Sequence, residues 1–465
     1  MKTLKYNTVV VGAGPGGYPC AIRLGQLGVN TLCIEKNSWG GVCLNVGCIP
    51  SKALITAGKR MDEIRHADAM GITVGEPSID MVKLQAWKQG IVDKLTGGVQ
   101  HLLKANNVDT LVGNATFTGP KSMEVETADG TVKVECDNLV IATGSRPIQI
   151  PGFDFSDKRV CDSTKALALN EVPKRVVVIG GGYIGLELGQ MLRKVGANVT
   201  VVEMADDIMP GFDKDVVKLL GRTLKKSGIT VHRKTAAKGW EEAEDGAIVK
   251  VEGPKGAIDI PADTILVTVG RRPNNEGLEA TGVKIGPRGQ IVVDSQLKTN
   301  VPGVYAVGDV AEGLMLAHKA SHDGEIAAEV IAGHNAHNDA KTVPAVVFTD
   351  PEIATAGMME HEAKEQGFDV KIGKMPFAAL GRALTTNETD GFFKVILDAE
   401  DDRVLGVTIC GPHASDLISE CALAIEMDAE ALDIGLTIHP HPTLSEGVME
   451  AAKAAIGQAV HVVNR

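Results

Sequence analysis

The sequence predicts an α/β protein in which two dinucleotide-binding units are followed by a separate α+β domain. Three observations predict it. A strand-helix-strand pattern over Asn7 to Glu35 returns at Arg175 to Glu203, and each copy carries a GxGxxG loop between its strand and helix. From about Val343 the pattern changes to strands, VVFTDPEIATAG and GFFKVILD, and then to helical runs such as SDLISECALAIEM.

In the first unit the apolar strand NTVVV meets the loop GAGPGG, an amphipathic helix runs to Gly28, and the strand NTLCI ends at Glu35. In the second, RVVVI meets GGGYIG, the helix through LELGQMLRKV closes at Gly196, and ANVTVV leads to Glu203. Both glutamates stand 23 residues after the first loop glycine. Gly12, Gly14 and Gly17, and again Gly180, Gly182 and Gly185, match the Rossmann-like fingerprint. The first glycine allows the turn, the second the approach of a pyrophosphate, and the third close helix-strand packing. Phosphate is then expected at the helix N-terminus, where unpaired N–H groups favour an anion. Glu35 and Glu203 are expected to accept ribose hydroxyls, and a carboxylate repels a 2′-phosphate, so the second site favours NAD over NADP. Asp206 and Asp207 follow Glu203 with no arginine near them in sequence to hold an extra phosphate; a solvated acidic turn is the alternative reading.

A second pair of echoes, VIATGSRP (Val140 to Pro147) and LVTVGRRP (Leu266 to Pro273), comes late in each unit. The strand-Gly-Asp turn VYAVGDVA and the helical stretch Leu316 to Ala332 are assigned to completing the first unit. The expected division is 1–148 for the first nucleotide domain, 149–273 for the second, 274–342 for the central segment and 343–465 for the C-terminal domain.

Length and composition bound the function. A chain of 465 residues is too long for one core and suggests roughly two to four domains. The 53 glycines and 20 prolines point to many short elements rather than long helices. A formal charge of -12, from 47 Lys+Arg against 59 Asp+Glu, repels a phosphate backbone, and 3% aromatics leave few base-stacking platforms. Nucleic acid is not expected as a partner. No apolar run reaches the roughly 18 to 20 residues needed to span a bilayer, and no signal peptide is read at the start. Eight thinly spread cysteines suggest a reducing, cytoplasmic compartment in which a close pair is catalytic rather than structural.

One close pair exists, Cys43 and Cys48 in GGVCLNVGCIPSK. Five steps of ideal helix rise about 7.5 Å, more than the roughly 4.4 to 6.8 Å between disulfide Cα atoms. A regular helix cannot bridge them. Gly47 and Pro50, with Gly40 and Gly41 before the pair, make a distorted helical start plausible, and a disulfide there would be reducible. Two unpaired thiols or half a metal site are the alternatives; metal binding wants further Cys or His at short spacing, and none occurs nearby.

The segment GGVCLNVGCIPSK resembles the active-site segment of the pyridine nucleotide-disulfide oxidoreductases, in the form that acts on dihydrolipoamide. TGSRP, GGGYIGLELG, VGRRPN, AVGDVA, MLAHKA, VVFTDPE and HPHPTLSE extend the resemblance over nearly the whole chain. It implies FAD in the first unit, NAD in the second and a C-terminal dimerisation domain, in a homodimer. It implies that Cys43 exchanges with the lipoyl sulfur, that Cys48 lies against the flavin, and that Lys52 sits near flavin N5, paired with Glu187. Asp309 is implied to bond the FAD ribityl chain, Ala317 to meet the isoalloxazine, Thr143 and Gly144 to line the cofactor site, and Gly270 to stand on the nicotinamide side. Val42 replaces a threonine common before the first cysteine, Trp39 is unusual before the glycine pair, and Tyr183 stands where many lipoyl enzymes carry a smaller aliphatic residue.

In IHPHPTLSEG, a histidine can take and return a thiol proton near neutral pH, and a carboxylate on its other ring nitrogen would fix the tautomer. The resemblance assigns these roles to His441 and Glu446, whereas His439 is read as structural. The implied partner is the lipoyl domain of an acyltransferase or of a glycine-cleavage carrier protein. The rivals are another disulfide reductase, which Glu203 disfavours where NADPH is the donor, and a nonenzymatic flavoprotein or redox sensor.

Overall fold

The structure, a computed structural model, describes residues 2–464. Two compact units divide the chain. The first runs to Ile150 and adds Cys161–Glu171 and Val269–Asp339; the second takes Pro151–Val160, Val172–Thr268 and the chain from Ala340 onward.

The first unit is built on β1 (Lys2–Val11), α1 (Gly17–Gln26) and β2 (Thr31–Glu35). β1 lies parallel to β2 on one side and to the strand Gly130–Ile141 on the other, which in turn pairs in parallel with Val304–Ala306. Antiparallel strands Asn114–Gly119 and Ser122–Thr127 extend this seven-stranded sheet. The continuous apolar run in β1 is required because both faces are covered. Val10 packs with Cys20, Leu24, Leu103 and Ile326 on one face, whereas Val9 and Val11 pack with Phe117, Met123 and Ile291 on the other. Fully burying side chains of this size contributes about 1.5–3 kcal/mol each.

Two expectations are corrected here. Long helices do occur: after α2 (Gly41–Val46) and α3 (Cys48–Arg65) comes α4 (Met81–Ala105), 25 residues without an internal proline, opened by Asp80, whose carboxylate accepts the Lys83 N–H at 3.1 Å. The stretch Gly41–Arg65 is also long and apolar enough to cross a membrane by length and composition alone. It is broken at Gly47 into two helices, and Pro50, Ser51, Ala53 and Leu54 of α3 are buried within the protein.

In the second unit the strands Thr230–His232, Asn198–Val202, Arg175–Ile179 and Thr264–Val267 lie side by side in that order, all parallel. An antiparallel meander, Ala236–Ala243, Gly246–Gly253 and Gly256–Ala262, follows the third of these in the chain. The C-terminal part is a five-stranded antiparallel sheet with the helices Ala414–Glu426 and Glu446–Ala455. Its core holds the stacked pair Phe377 and Phe393, ring centroids 4.4 Å apart.

Next to Phe393, Lys394 is a buried cation with 1% of its side chain exposed. Its Nζ reaches Asp213 at 2.9 Å, Glu360 at 2.7 Å and Asp215 at 3.4 Å. Burial alone would depress the Lys394 pKa, but Glu360 and Asp213 outweigh it and the net direction is up. Burial likewise opposes the Asp213 charge, and His361 and Lys394 prevail to lower its pKa. Lys394→Met strands these carboxylates and is expected to cost about 3–5 kcal/mol, read as a lowered urea midpoint. Because the Asp213 pKa is depressed, the margin of wild type over the variant is full above the ordinary carboxylate value of about 4 and shrinks as pH falls below it. A variant as stable as wild type at pH 7 would show that the cluster holds nothing together.

Candidate active site

The first loop is shaped by its own backbone. A Cβ at Gly12, where φ is +105°, would lie 2.2 Å from the Ala142 carbonyl oxygen, and one at Gly17 would lie 1.8 Å from the Gly12 oxygen. Gly185 repeats this, 2.4 Å from the Gly180 oxygen, and Gly180 has φ +107°. A Cβ at Gly14 would come no nearer than 3.9 Å to any atom, and one at Gly182 would meet nothing within 4 Å. Protein packing therefore demands the first and third glycines but not the second, the pattern of a loop kept open for a ligand's approach.

Glu35 and Glu203 are held alike. Glu35 accepts the Ala13 N–H at 2.7 Å on one oxygen and the Asn37 N–H at 2.9 Å on the other. Glu203 accepts the Gly181 N–H at 2.6 Å and the Ala205 N–H at 2.6 Å. Each carboxylate is thus locked to its own glycine loop with lone pairs left for ribose hydroxyls.

The absence of an arginine beside Glu203 is true of the sequence and false of the fold. Arg233, thirty residues on, reaches Asp207 at 3.0 Å, and Lys234 reaches Asp206 at 3.4 Å. The acidic turn is ion-paired. The signal available in sequence was the next parallel strand, whose end must lie beside Glu203.

Ahead of the cysteines, Gly40 donates its N–H to the Ala13 oxygen at 2.9 Å, and a Cβ on Gly41 (φ +59°) would fall 2.6 Å from the Gly14 Cα. The cysteine segment is therefore seated directly on the first glycine loop. Asn45 holds the turn by donating to the Trp39 and Gly41 oxygens at 2.9 and 2.8 Å. The unusual Trp39 is buried in the core of this unit, whereas Val42 and Tyr183 are partly exposed. The helix does break between the cysteines, at Gly47 (φ −135°, ψ −111°). Cys43 on α2 and Cys48 on α3 are thiols in mutual contact. The hydrogen bond with Cys48, and then burial, push the Cys43 pKa up, while Lys52, one turn beyond Cys48, pulls it down. The net direction is up, with the Lys52 cation the opposing pull toward the thiolate.

The two echoes join in the first unit. Ser145–Pro147 pairs antiparallel with Arg271–Pro273. Ser145 donates to Asp309 at 2.5 Å, Arg271 donates to the Ser145 hydroxyl at 2.8 Å, and Thr143 donates to the Asn274 oxygen at 2.8 Å. Gly144 accepts the Asn274 N–H at 2.9 Å, and the Gly270 oxygen accepts the Ile148 N–H at 3.0 Å. Motif similarity flagged both segments but not their pairing. Ala317 opens the helix Ala317–Ile331. These residues fit FAD: a glycine loop that admits no side chain at its turn, a fixed carboxylate in Glu35, and a second oriented carboxylate in Asp309.

In the second unit His441 Nδ1 lies 2.9 Å from Glu446, and the other Glu446 oxygen accepts the Thr443 N–H at 2.8 Å. Burial raises the Glu446 pKa, but the Thr443 N–H and His441 outweigh it, so it stays ionised below the usual range. The ring is exposed with Nδ1 taken, leaving Nε2 for a proton from outside. His439 is structural as expected, its buried ring held by Glu420 at 2.7 Å and the Thr437 oxygen at 2.8 Å. Glu187, on the helix Tyr183–Lys194, is buried and accepts the Phe348 N–H at 2.8 Å. Among the described residues no cluster of three or more His, Cys, Asp or Glu could hold a metal ion.

Residues 6–324 match the family model described as pyridine nucleotide-disulphide oxidoreductase, and residues 343–452 match the dimerisation domain of that family. A dihydrolipoyl dehydrogenase of Bacillus subtilis is 51% identical over 465 residues, covering 99% of this chain and 98% of its own. Those of Geobacillus stearothermophilus and Thermus scotoductus are 50% and 49% identical, covering 99% and 100% of this chain and 98% and 100% of theirs. LpdA from Mycobacterium tuberculosis superposes with a TM-score of 0.88 at 25% identity, over 97% of this chain and 99% of its own. The flavoprotein disulfide reductase RclA from Escherichia coli superposes with a TM-score of 0.87 at 28% identity, over 97% and 99%.

Gly41→Ala places a methyl against the Gly14 backbone and is expected to cost about 1–3 kcal/mol. It should lower the unfolding temperature and loosen flavin, read as yellow colour lost on gel filtration. Wild-type behaviour in both measurements would separate the cysteine segment from the first glycine loop.

Proposed function

The chain belongs to the pyridine nucleotide-disulphide oxidoreductase family, and from that membership we propose that it oxidises protein-bound dihydrolipoamide to lipoamide while reducing NAD+ to NADH. The observation that carries the reading is the Cys43–Cys48 pair, brought together by the break at Gly47 and seated on the first nucleotide loop.

With the pair oxidised, His441 Nε2 takes a proton from one lipoyl thiol. The resulting thiolate attacks the Cys43 sulfur, and Cys48 leaves as a thiolate. The second lipoyl thiol, deprotonated in turn, displaces Cys43, closing the lipoyl disulfide and leaving the enzyme pair reduced by two electrons. Glu446 holds the imidazole by Nδ1 and balances the charge of the imidazolium. Bound FAD supplies the two-electron relay between the cysteine pair and NAD+. One proton and two electrons end on NAD+, and the other proton goes to solvent.

The Gly12–Gly17 loop, Glu35, Thr143, Gly144, Asp309 and Ala317 are assigned to FAD, with Lys52 and Glu187 on its flavin side. The Gly180–Gly185 loop, Glu203 and Gly270 are assigned to NAD. The domain bounds proposed are 1–148 with 274–342 for FAD, 149–273 for NAD and 343–465 for dimerisation. Family membership supports a homodimer, and the partner is the lipoyl domain of a 2-oxo acid dehydrogenase acyltransferase or a glycine-cleavage carrier in the cytoplasm.

In that dimer the His441–Glu446 pair serves the cysteines of the other chain, so each site needs two chains. Subunits lacking Cys43 and Cys48 are mixed with His441→Ala subunits after reversible dissociation. With random reassociation about half the dimers are mixed and about a quarter of all sites are complete. Dihydrolipoamide-dependent NADH formation should rise to that fraction. Activity no higher than either parent, with heterodimers demonstrated, would sink the shared site.

A further inference from the structure

We infer that Asp206 and Asp207 are coenzyme-specificity residues, which hold Lys234 and Arg233 in ion pairs at the rim of the second ribose pocket and so withhold both cations from a 2′-phosphate. This rests on the reading of Glu203 as the ribose carboxylate.

The placement is fixed by backbone. Asn198–Val202 runs parallel to Thr230–His232 with Val202 opposite His232, so the next residues, Glu203 and Arg233, leave the sheet together. Glu203 donates its N–H to the His232 oxygen at 2.8 Å, Thr235 donates to the Glu203 oxygen at 2.8 Å, and Lys234 donates to the Ala205 oxygen at 2.9 Å. Residues 233–235 are thus stitched to residues 203–205. Lys234 sits at φ +52°, a left-handed conformation costly for a lysine, held by that stitching. A Cβ at Gly221 would lie 2.8 Å from the Arg233 guanidinium, so the guanidinium lies directly against this glycine.

Charge then decides the preference. Glu203, Asp206 and Asp207 face Arg233 and Lys234, three carboxylates against two cations. A ribose hydroxyl tolerates that surplus. A 2′-phosphate meets it as repulsion and finds both cations already engaged, although an arginine fork is the usual phosphate holder. The pairs are exposed and individually weak, so a neutral partner would release the cations readily.

The test uses full-length, FAD-loaded enzyme and calorimetric binding of adenosine 2′,5′-bisphosphate against 5′-AMP. Removing two like charges near a phosphate through a watery path should raise the bisphosphate-to-AMP affinity ratio about tenfold in Asp206→Asn/Asp207→Asn. Arg233→Gln added to that variant should abolish most of the gain. Glu241→Gln/Asp259→Asn, an equal loss of charge on the antiparallel meander, should leave the ratio where it was. A gain that survives Arg233→Gln, or one matched by the meander variant, overturns the inference in favour of net charge alone. Wild type that binds NAD+ and 5′-AMP, with no gain in the double variant, overturns this inference and leaves the NAD reading standing. Wild type that binds neither overturns both.

Discussion

The contact on which the rest of the site depends is that between two backbones, Gly41 against Gly14. Nothing larger than hydrogen fits on Gly41 there, and the Gly40 N–H to Ala13 oxygen bond pins the approach. One loop thereby performs two tasks. It leaves an open glycine turn at the start of α1, and it carries the first turn of the cysteine-bearing helix. The break at Gly47 then converts a spacing that a regular helix keeps apart into a pair of touching thiols. The cysteine pair and the glycine loop share one piece of main chain, so the distance between them is set by backbone rather than by flexible side chains.

The two nucleotide units solve the same problem with the same parts, and their differences are informative. Glu35 and Glu203 each lock to their own loop through an N–H one residue after the first glycine. Beyond the carboxylate the units diverge. After Glu35 the chain passes within a few residues to Gly40 and the cysteines, which suits a cofactor that stays in place beside a redox pair. After Glu203 it enters an ion-paired turn closed by Arg233 and Lys234, which suits a nucleotide that is chosen, bound and released.

Much of this was legible in sequence where the interaction was local or periodic. Both strand-loop-helix units, the glutamates at their ends and the need for a break between Cys43 and Cys48 follow from glycine chemistry, hydrophobic runs and spacing. Family resemblance added His441 with Glu446. What sequence did not show was lateral. Arg233 beside Asp207, Ser145 beside Asp309 with Arg271 behind it, and Lys394 among Asp213, Asp215 and Glu360 are pairs of residues far apart in the chain. No periodicity encodes them. The 25-residue α4 was hidden for another reason: a glycine count describes the whole chain and says nothing of where the glycines fall.

The strand Phe392–Asp398 shows how the fold joins the His441–Glu446 pair to the Asp213 cluster within the second unit. Successive residues of a strand face opposite ways. Phe393 turns into the C-terminal core, where it stacks on Phe377 and lies against Gly447; a Cβ there would come 2.2 Å from its ring. Gly447 follows Glu446 directly, so this packing seats the helix that presents the carboxylate to His441. Lys394 turns the other way, onto Asp213 at the start of the helix Lys214–Lys226. That helix carries Gly221, against which the Arg233 guanidinium lies. One strand therefore supports the His441–Glu446 pair on one face and the layer that holds Asp213 and Arg233 on the other. The buried lysine ties strand to helix through charge: its ammonium is matched by Asp213, Asp215 and Glu360, and each of them would be left without that partner if it were removed.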